Sequence, residues 1–265
     1  MHNAAFAALG LNWRYFAFEV HPHDLRAAIE GARVMGFAGL NLTVPHKLLA
    51  LELVDTLDKS AKKWRAVNTI RFESAGVDGR AKVRAVGFNT DAGAIATALR
   101  EDLKLELRGA RVLLLGAGGA GRTAALKFAA EKVKELFLVN RTQAKARAVA
   151  AEIKRQFPSA RVTLGYPAAD VDLLINATSL GLKQGDRLPF DKQQFSLEQA
   201  RAVYDMIYRP AETALLRAAR KAGCRTANGL GMLLYQGAKA FEIWTAKAPP
   251  LDVMRRALEQ NIYGH

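Results

Sequence analysis

The chain has 265 residues, half of them hydrophobic, and a formal net charge of +14. Its clean apolar runs, such as Ala4–Leu9 and Val112–Leu115, fall far short of the about 18 residues a membrane span needs, and its single cysteine, Cys224, rules out a disulfide framework or a thiolate metal site. The Lys and Arg are scattered over helices such as Leu99–Lys104, Lys132–Lys134 and Arg217–Lys221, with no recognition-helix pattern, so the charge points to anionic small molecules rather than nucleic acid or membrane.

In chain order, His2–Leu9 reads as a short helix stopped at Gly10, Trp13–Val20 alternates as a strand does, His23–Met35 is helical and Ala38–Thr43 is a strand. Pro45 suits a first helical turn, and that helix runs to about Leu53. Two strands, Ala66–Phe72 and Lys82–Val86, flank a polar turn at Ser74–Arg80, and Asn89–Leu103 is a helix with Asp91 in its first turn. A new unit then begins: strand Arg111–Leu115, helix Gly119–Glu131, strand Glu135–Val139 and helix Gln143–Gln156. Strands follow at Arg161–Leu164, Asp172–Ile175, Ala202–Asp205 and Arg225–Ala227, and from Leu230 two helical stretches are broken by Pro249–Pro250. The alternation predicts α/β architecture with parallel sheets and crossover helices in two domains. Residues 1–92 form the first, completed by about 233–265 as the last helices return to it, and 93–232 form a Rossmann-type domain. The N-terminus carries no signal pattern, so a cytoplasmic location is expected, and the chain is expected to be a monomer or homodimer.

The most informative stretch is Arg111–Arg122, a buried strand opening into G-x-G-x-x-G at Gly116, Gly118 and Gly121. The motif alone is weak, but here it follows a strand, opens an Ala-rich helix and sits in a βαβ of the right length. Gly116 permits the tight turn, Gly118 lets backbone approach a pyrophosphate, and Gly121 lets helix pack on strand. Free N–H groups over Gly116, Ala117, Gly118, Gly119 and Ala120 and the helix dipole then suit phosphates. At the end of the second strand an NAD-binding unit usually carries an acid that accepts from a ribose hydroxyl. This chain has Asn140-Arg141-Thr142 instead, with Lys145 one turn on. Arg141 offers a planar fork to a 2′-phosphate and Lys145 adds charge, so NADP is the expected cofactor.

In the first domain, polar clusters Asn41–Lys47, Ala66–Thr69 and Gly87–Asp91 stand at strand ends, where open α/β sheets bind ligands. Lys47 and Asp91 form a natural pair for proton transfer, and Thr43, Asn68 and Asn89 supply neutral hydrogen bonds suited to a polyhydroxy substrate. From the residues alone, Asp91 is equally readable as a first-turn helix charge and Lys47 as a solvated lysine.

The motifs NLTVPHK (Asn41–Lys47), AVNTI (Ala66–Ile70), NTD (Asn89–Asp91), GAGGAG, NRT (Asn140–Thr142), NATSLG (Asn176–Gly181), DMIYRP (Asp205–Pro210) and Asn228–Met232 with Gln236-Gly237 occur in this order. Together they resemble the shikimate dehydrogenase family over essentially the whole chain. The resemblance implies reduction of 3-dehydroshikimate to shikimate with NADPH, in aromatic amino-acid biosynthesis. It implies Lys47 as proton donor and acceptor paired with Asp91, and Thr43, Asn68, Asp91 and Gln236 on the ring hydroxyls with Tyr208 nearby. It implies Gly116–Ala120 on the pyrophosphate, Asn140, Arg141, Thr142 and Lys145 on the adenosine phosphate, and Met206 and Gly229 against the nicotinamide. No metal is expected, since the nicotinamide carries the hydride, and His2 and His46 have no role in this scheme.

The sequence departs from the family at its start. The resemblance implies a further strand and a Ser-x-Ser substrate loop ahead of Met1-His2-Asn3, between the neighbours formed here by Trp13–Val20 and Ala38–Thr43. Three explanations are open: an upstream start, repair by rearrangement or by a strand from a second copy, and a cofactor-binding relative with altered or no turnover. Arg65 also stands where the family usually has Gly, and Gly121 where Ala is common. The alternatives to a shikimate dehydrogenase are therefore a quinate or related cyclitol dehydrogenase and a non-catalytic NADP-binding relative.

Overall fold

The computed structural model describes residues 1–75 and 82–264. By the density of its contacts the chain divides into two compact units, one of Met1–Asp91 with Gln236–His265 and one of Ala92–Tyr235.

The first unit opens with helix α1 (His2–Ala8), then α2 (Leu25–Val34), strand β1 (Gly39–Asn41) and α3 (His46–Leu49). Strand β2 (Thr56–Leu57), α4 (Lys59–Trp64), β3 (Thr69–Ala75) and β4 (Lys82–Phe88) follow, and α5 (Asp91–Leu103) leads onward. Its four-stranded sheet has the order β1-β3-β4-β2. The expectation of parallel sheets fails here, because β1–β3 and β3–β4 are antiparallel and only β2–β4 is parallel. The short connection from β3 to β4 permits only a hairpin, whereas a parallel pair needs a long crossover. The turn read at Ser74–Arg80 begins inside β3, and residues 76–81 lie outside the described residues. Leu25 and Ile29 of α2 pack with Ala50, Ala61, Val67, Ile70 and Ala85 to form the core of this unit.

Several expectations are corrected. Trp13–Val20 forms no strand, although its alternation survives at the start, with Trp13 and Tyr15 half-buried and Arg14 and Phe16 exposed. A strand needs a ladder partner, and the backbone here is satisfied otherwise: Tyr15 N donates to Asn3 Oδ1 at 2.6 Å and Asn3 Nδ2 donates to the Tyr15 carbonyl at 3.0 Å. The strand read at Ala38–Thr43 shortens to β1. The helix read from Pro45 to Leu53 is α3 followed by a 3-10 turn over Ala50–Glu52, with Pro45 as its N-cap. Neither β2 nor α4 was read from the sequence. Helix α4 is capped by Asp58, which accepts from Ala61 N at 2.9 Å, and it ends at Arg65 in the left-handed region (φ 49°). That conformation explains why glycine suits the position.

The second unit holds β5 (Arg111–Leu115), α6 (Gly119–Ala130), β6 (Glu135–Val139), α7 (Gln143–Gln156), β7 (Val162–Leu164), β8 (Val171–Asn176), β9 (Ala200–Asp205), α8 (Ala214–Lys221) and β10 (Arg225–Asn228). All six strands are parallel in the order β10-β9-β8-β5-β6-β7, the doubly wound order in which the chain reverses direction at β5. A parallel sheet covered on both faces needs continuous apolar strands; Val112–Leu115 are accordingly at most 1% exposed. Lys132–Lys134, read as helical, is a turn after α6 with Lys132 at φ 59°.

Helix α9 (Leu230–Thr245) and helix α10 (Leu251–Tyr263) close the chain. From Gln236 onward they belong to the first unit, where Trp244 Nε1 donates to the Ile70 carbonyl at 2.9 Å. A Cβ at Gly39 would lie 2.2 Å from both of those atoms, so the glycine in β1 makes room for this junction.

Candidate active site and dinucleotide turn

In the first unit, three strand ends converge on Asp91. Backbone bonds set the frame: Leu42 N donates to the Asn68 carbonyl at 2.8 Å, Val67 N to the Lys47 carbonyl at 2.9 Å and Asn68 N to the Phe88 carbonyl at 3.0 Å. Within it Lys47 Nζ donates to Asp91 Oδ2 at 2.8 Å. The other carboxylate oxygen, Oδ1, accepts from Asn68 Nδ2 at 2.9 Å. The Lys47 side chain keeps 29% of its surface exposed against 8% for Asp91, so the ammonium faces out while the carboxylate is sealed behind it. A solvated lysine and an isolated first-turn acid would show neither feature.

Asn68 is 2% exposed, and its amide is committed on both sides. Oδ1 accepts from Thr90 N at 2.8 Å, and Nδ2 donates to Thr90 Oγ1 at 2.9 Å as well as to Asp91. Behind it, Asn41 Nδ2 donates to Thr69 Oγ1 at 3.0 Å, and Tyr15 Oη donates to Asn41 Oδ1 at 3.1 Å. Burial pushes the Tyr15 phenol up from its usual range, which keeps it a donor. Asn41, Thr90 and Tyr15 carried no role in the sequence reading; the first two lie inside motifs it quoted, which was the available signal. Asn89 turns away, donating to the Ala66 carbonyl at 3.1 Å. Thr43 is exposed on the β1–α3 loop, and its carbonyl accepts from His46 N at 2.8 Å.

His2 is 4% exposed, stacked on Tyr15 with ring centroids 4.5 Å apart, and neither ring nitrogen has a hydrogen-bond partner. Burial, helped by the adjacent N-terminal ammonium, lowers its pKa to about 4.

In the second unit, Gly116 has φ +108°, and a Cβ there would lie 2.9 Å from the Ala177 backbone. A Cβ at Gly121 would lie 2.1 Å from the Gly116 carbonyl oxygen, so α6 packs on the turn at a distance only glycine allows. Nothing lies within 4 Å of a Cβ at Gly118 or Gly119, and Gly118, Gly119 and Ala120 are exposed. Helix α6 has Gly118 as its N-cap, with no side-chain cap bond and no acid in its first turn. Its first N–H groups therefore have no intrahelical acceptor and present positive partial charge to solvent, as a phosphate requires.

Asn140 spends its amide on this turn: Oδ1 accepts from Ala117 N at 2.9 Å, and Nδ2 donates to the Thr142 carbonyl at 2.8 Å. Arg141, Thr142 and Lys145 are exposed beside it, and α7 has Thr142 as its N-cap, with no side-chain cap bond and no acid in its first turn. A cation fork, a free hydroxyl and a lysine without a neighbouring acid fit a dianionic phosphate. Met206 follows β9 directly. The Gly229 N–H bonds the Ile207 carbonyl at 3.2 Å, and a Cβ at Gly229 would lie 2.0 Å from the Met206 carbonyl oxygen. Tyr208 is 38% exposed on the loop after β9, and Gln236 lies on α9.

Three family models match the chain. The shikimate dehydrogenase substrate binding domain matches residues 1–70, the shikimate / quinate 5-dehydrogenase model matches 98–182, and the shikimate 5'-dehydrogenase C-terminal domain matches 229–259. The chain is 40% identical to shikimate dehydrogenase (NADP(+)) of Methanopyrus kandleri over 99% of its own length and 90% of the relative's. The chain belongs to the shikimate dehydrogenase family. Its fold matches a crystal structure of shikimate dehydrogenase in complex with NADP+ with a TM-score of 0.86 and 38% identity, covering 98% of this chain and 89% of that one. A quinate dehydrogenase from Corynebacterium glutamicum, solved in complex with NAD, is also similar, with a TM-score of 0.83 and 28% identity over 96% of this chain and 91% of that one. No helix among the described residues is long and apolar enough to cross a membrane.

Proposed function

We propose that this chain is an NADP-dependent shikimate dehydrogenase, an oxidoreductase that reversibly reduces 3-dehydroshikimate to shikimate on the way to chorismate and the aromatic amino acids. The observation that carries the reading is the Lys47–Asp91 pair at 2.8 Å, with the ammonium half-exposed and the carboxylate braced from behind by Asn68. When bound, NADPH supplies the hydride that adds to the substrate carbonyl carbon. Lys47 Nζ gives a proton to the carbonyl oxygen as the alcohol forms and takes it back in the reverse direction. Asp91 holds that ammonium in place and, with Thr43 and Gln236, receives the ring hydroxyls; Tyr208 is a further substrate contact in this reading. Asn68 acts on the substrate side largely through Asp91, since its amide is already engaged.

Residues 1–92 with 233–265 form the substrate domain in this reading, and 93–232 the NADP domain. Gly118, Gly119 and Ala120 offer N–H groups to the pyrophosphate; Arg141, Thr142 and Lys145 take the 2′-phosphate; Met206 and Gly229 receive the nicotinamide. The absence of an acid in the first turn of α7 supports NADP over NAD. Quinate is the second substrate to test, because of the likeness to a quinate dehydrogenase.

The test follows NADP+ reduction with shikimate and then with quinate, for the wild type and Lys47→Ala. Shikimate should be the better substrate, and the variant should lose about 10²–10⁴-fold in kcat with little change in melting temperature. A wild type inert to both substrates, or a variant that turns over like wild type, refutes the proposal.

A further inference from the structure

Asp205 at the end of β9 is fully buried, as is Asn176 at the end of the neighbouring strand β8, and Thr213 at the start of α8 is 1% exposed. The three are bonded together. Asp205 Oδ2 accepts from Thr213 Oγ1 at 2.7 Å, and Oδ1 accepts from Asn176 Nδ2 at 2.9 Å and from Ile207 N at 3.1 Å. All three donors are neutral. Burying a carboxylate on neutral donors costs more than burying an apolar side chain of the same size, so stability alone is a poor reason for it. Burial raises the carboxyl's pKa while the three donors pull it back.

What the carboxylate does is tie loops together. Asn176 continues to the Leu180 carbonyl at 3.1 Å and accepts from Thr178 Oγ1 at 2.7 Å, while its own carbonyl accepts from Met206 N at 2.9 Å. The bond from Ile207 N fixes the turn just after Met206, and the Ile207 carbonyl in turn holds Gly229 N. One buried side chain thus sets the backbone of Met206–Ile207 and, through it, Gly229, at the carboxyl ends of parallel strands where such sheets bind their ligands.

We infer that Asp205 is a positioning residue for the nicotinamide half of the cofactor, fixing the Met206–Gly229 shelf without touching the ligand. This rests on the NADP reading above. Removing its acceptors releases the turn, so binding that depends on the nicotinamide weakens while binding of the adenosine half does not. The acceptor geometry matters here rather than the charge, because Oδ1 alone takes the Asn176 and Ile207 donors. An asparagine keeps that oxygen and can donate to Thr213 Oγ1.

The experiment measures binding of NADPH and of 2′-AMP, which carries the adenosine and the extra phosphate but no nicotinamide, to wild type, Asp205→Ala and Asp205→Asn. Asp205→Ala should weaken NADPH by about tenfold, the equivalent of one lost hydrogen-bonding contact, and leave 2′-AMP unchanged. Asp205→Asn should restore NADPH binding. With shikimate as substrate deuterated at the transferred position, the isotope effect on kcat should rise in Asp205→Ala as hydride transfer becomes limiting. If Asp205→Ala does not fold, Thr213→Val, which removes the Oδ2 bond and the cap on Leu216 N but leaves both Oδ1 bonds, should weaken NADPH by a smaller factor and again leave 2′-AMP unchanged, with Thr213→Ser close to wild type. Equal NADPH-to-2′-AMP ratios in a folded variant overturn the inference, whatever happens to melting temperature. A wild type that binds neither probe refutes the NADP reading instead; one that binds both but lacks turnover leaves the binding ratio to decide this inference alone.

Discussion

Asn140 allows a sharp test of how the cofactor turn is built. Its Oδ1 is the acceptor for Ala117 N–H at 2.9 Å, and Ala117 is 7% exposed, so little water can replace the lost bond in Asn140→Ala. A buried N–H deprived of its partner costs about 1–3 kcal/mol, and the bond to the Thr142 carbonyl adds a smaller loss at the other end. The expected result is a lower urea midpoint and a weakening of NADPH and NADH together, each by about fivefold or more, since 1.4 kcal/mol is tenfold. Asn140→Asp keeps the acceptor for Ala117 but places an acid beside Arg141; it should retain NADH and lose NADPH. Fluorescence titration of both cofactors against the three proteins gives the answer. If Asn140→Ala weakens NADPH and spares NADH, then Asn140 contacts the 2′-phosphate directly and the turn-holding account is wrong.

Arg141→Ala should do the opposite of Asn140→Ala. Loss of a charge-assisted contact should weaken NADPH by about ten- to a hundredfold and leave NADH nearly unchanged, and the NADPH preference should also shrink as salt rises; equal losses for both cofactors would sink the assignment. His2 gives a pH dependence. Its folded pKa of about 4 lies below the ordinary histidine value of 6.5, so the folded state binds fewer protons. Its contribution is fully present above about pH 6.5 and is lost as pH falls toward 4, by about 3 kcal/mol in all. Urea midpoints across that window should fall steeply in wild type and less so in His2→Phe; an unchanged slope in the variant would show that other groups drive the acid loss.

Much of the second unit was legible in the residues. A continuous apolar strand, three glycines at fixed spacing and an Ala-rich helix impose one local geometry, because Gly116 needs a positive φ and Gly121 a missing side chain whatever surrounds them. The missing acid after β6 likewise states the cofactor preference by simple electrostatics. The first unit was legible by resemblance more than by pattern. Its Lys47–Asp91 pair was readable as ordinary surface and helix-cap residues until the strand ends were brought together.

Other features were settled only by distant partners. The alternation at Trp13–Val20 records which side chains turn inward, but a strand is a pairing, and Asn3 takes the backbone groups of Tyr15 instead. The hairpin β3–β4 makes the first sheet mixed, which alternation of elements along the chain does not reveal. Which way an asparagine amide points depends on groups far away in sequence: Asn140 on Ala117, Asn68 on Thr90 and Asp91, Asn176 on Asp205. The sequence by itself determined the dinucleotide turn, its basic neighbours Arg141 and Lys145, and the residue types available for proton transfer. Tertiary structure alone decided which of those polar groups remain free for ligands and which are already spent holding the site in shape, because a hydrogen bond is a property of two positions and the chain specifies only one at a time.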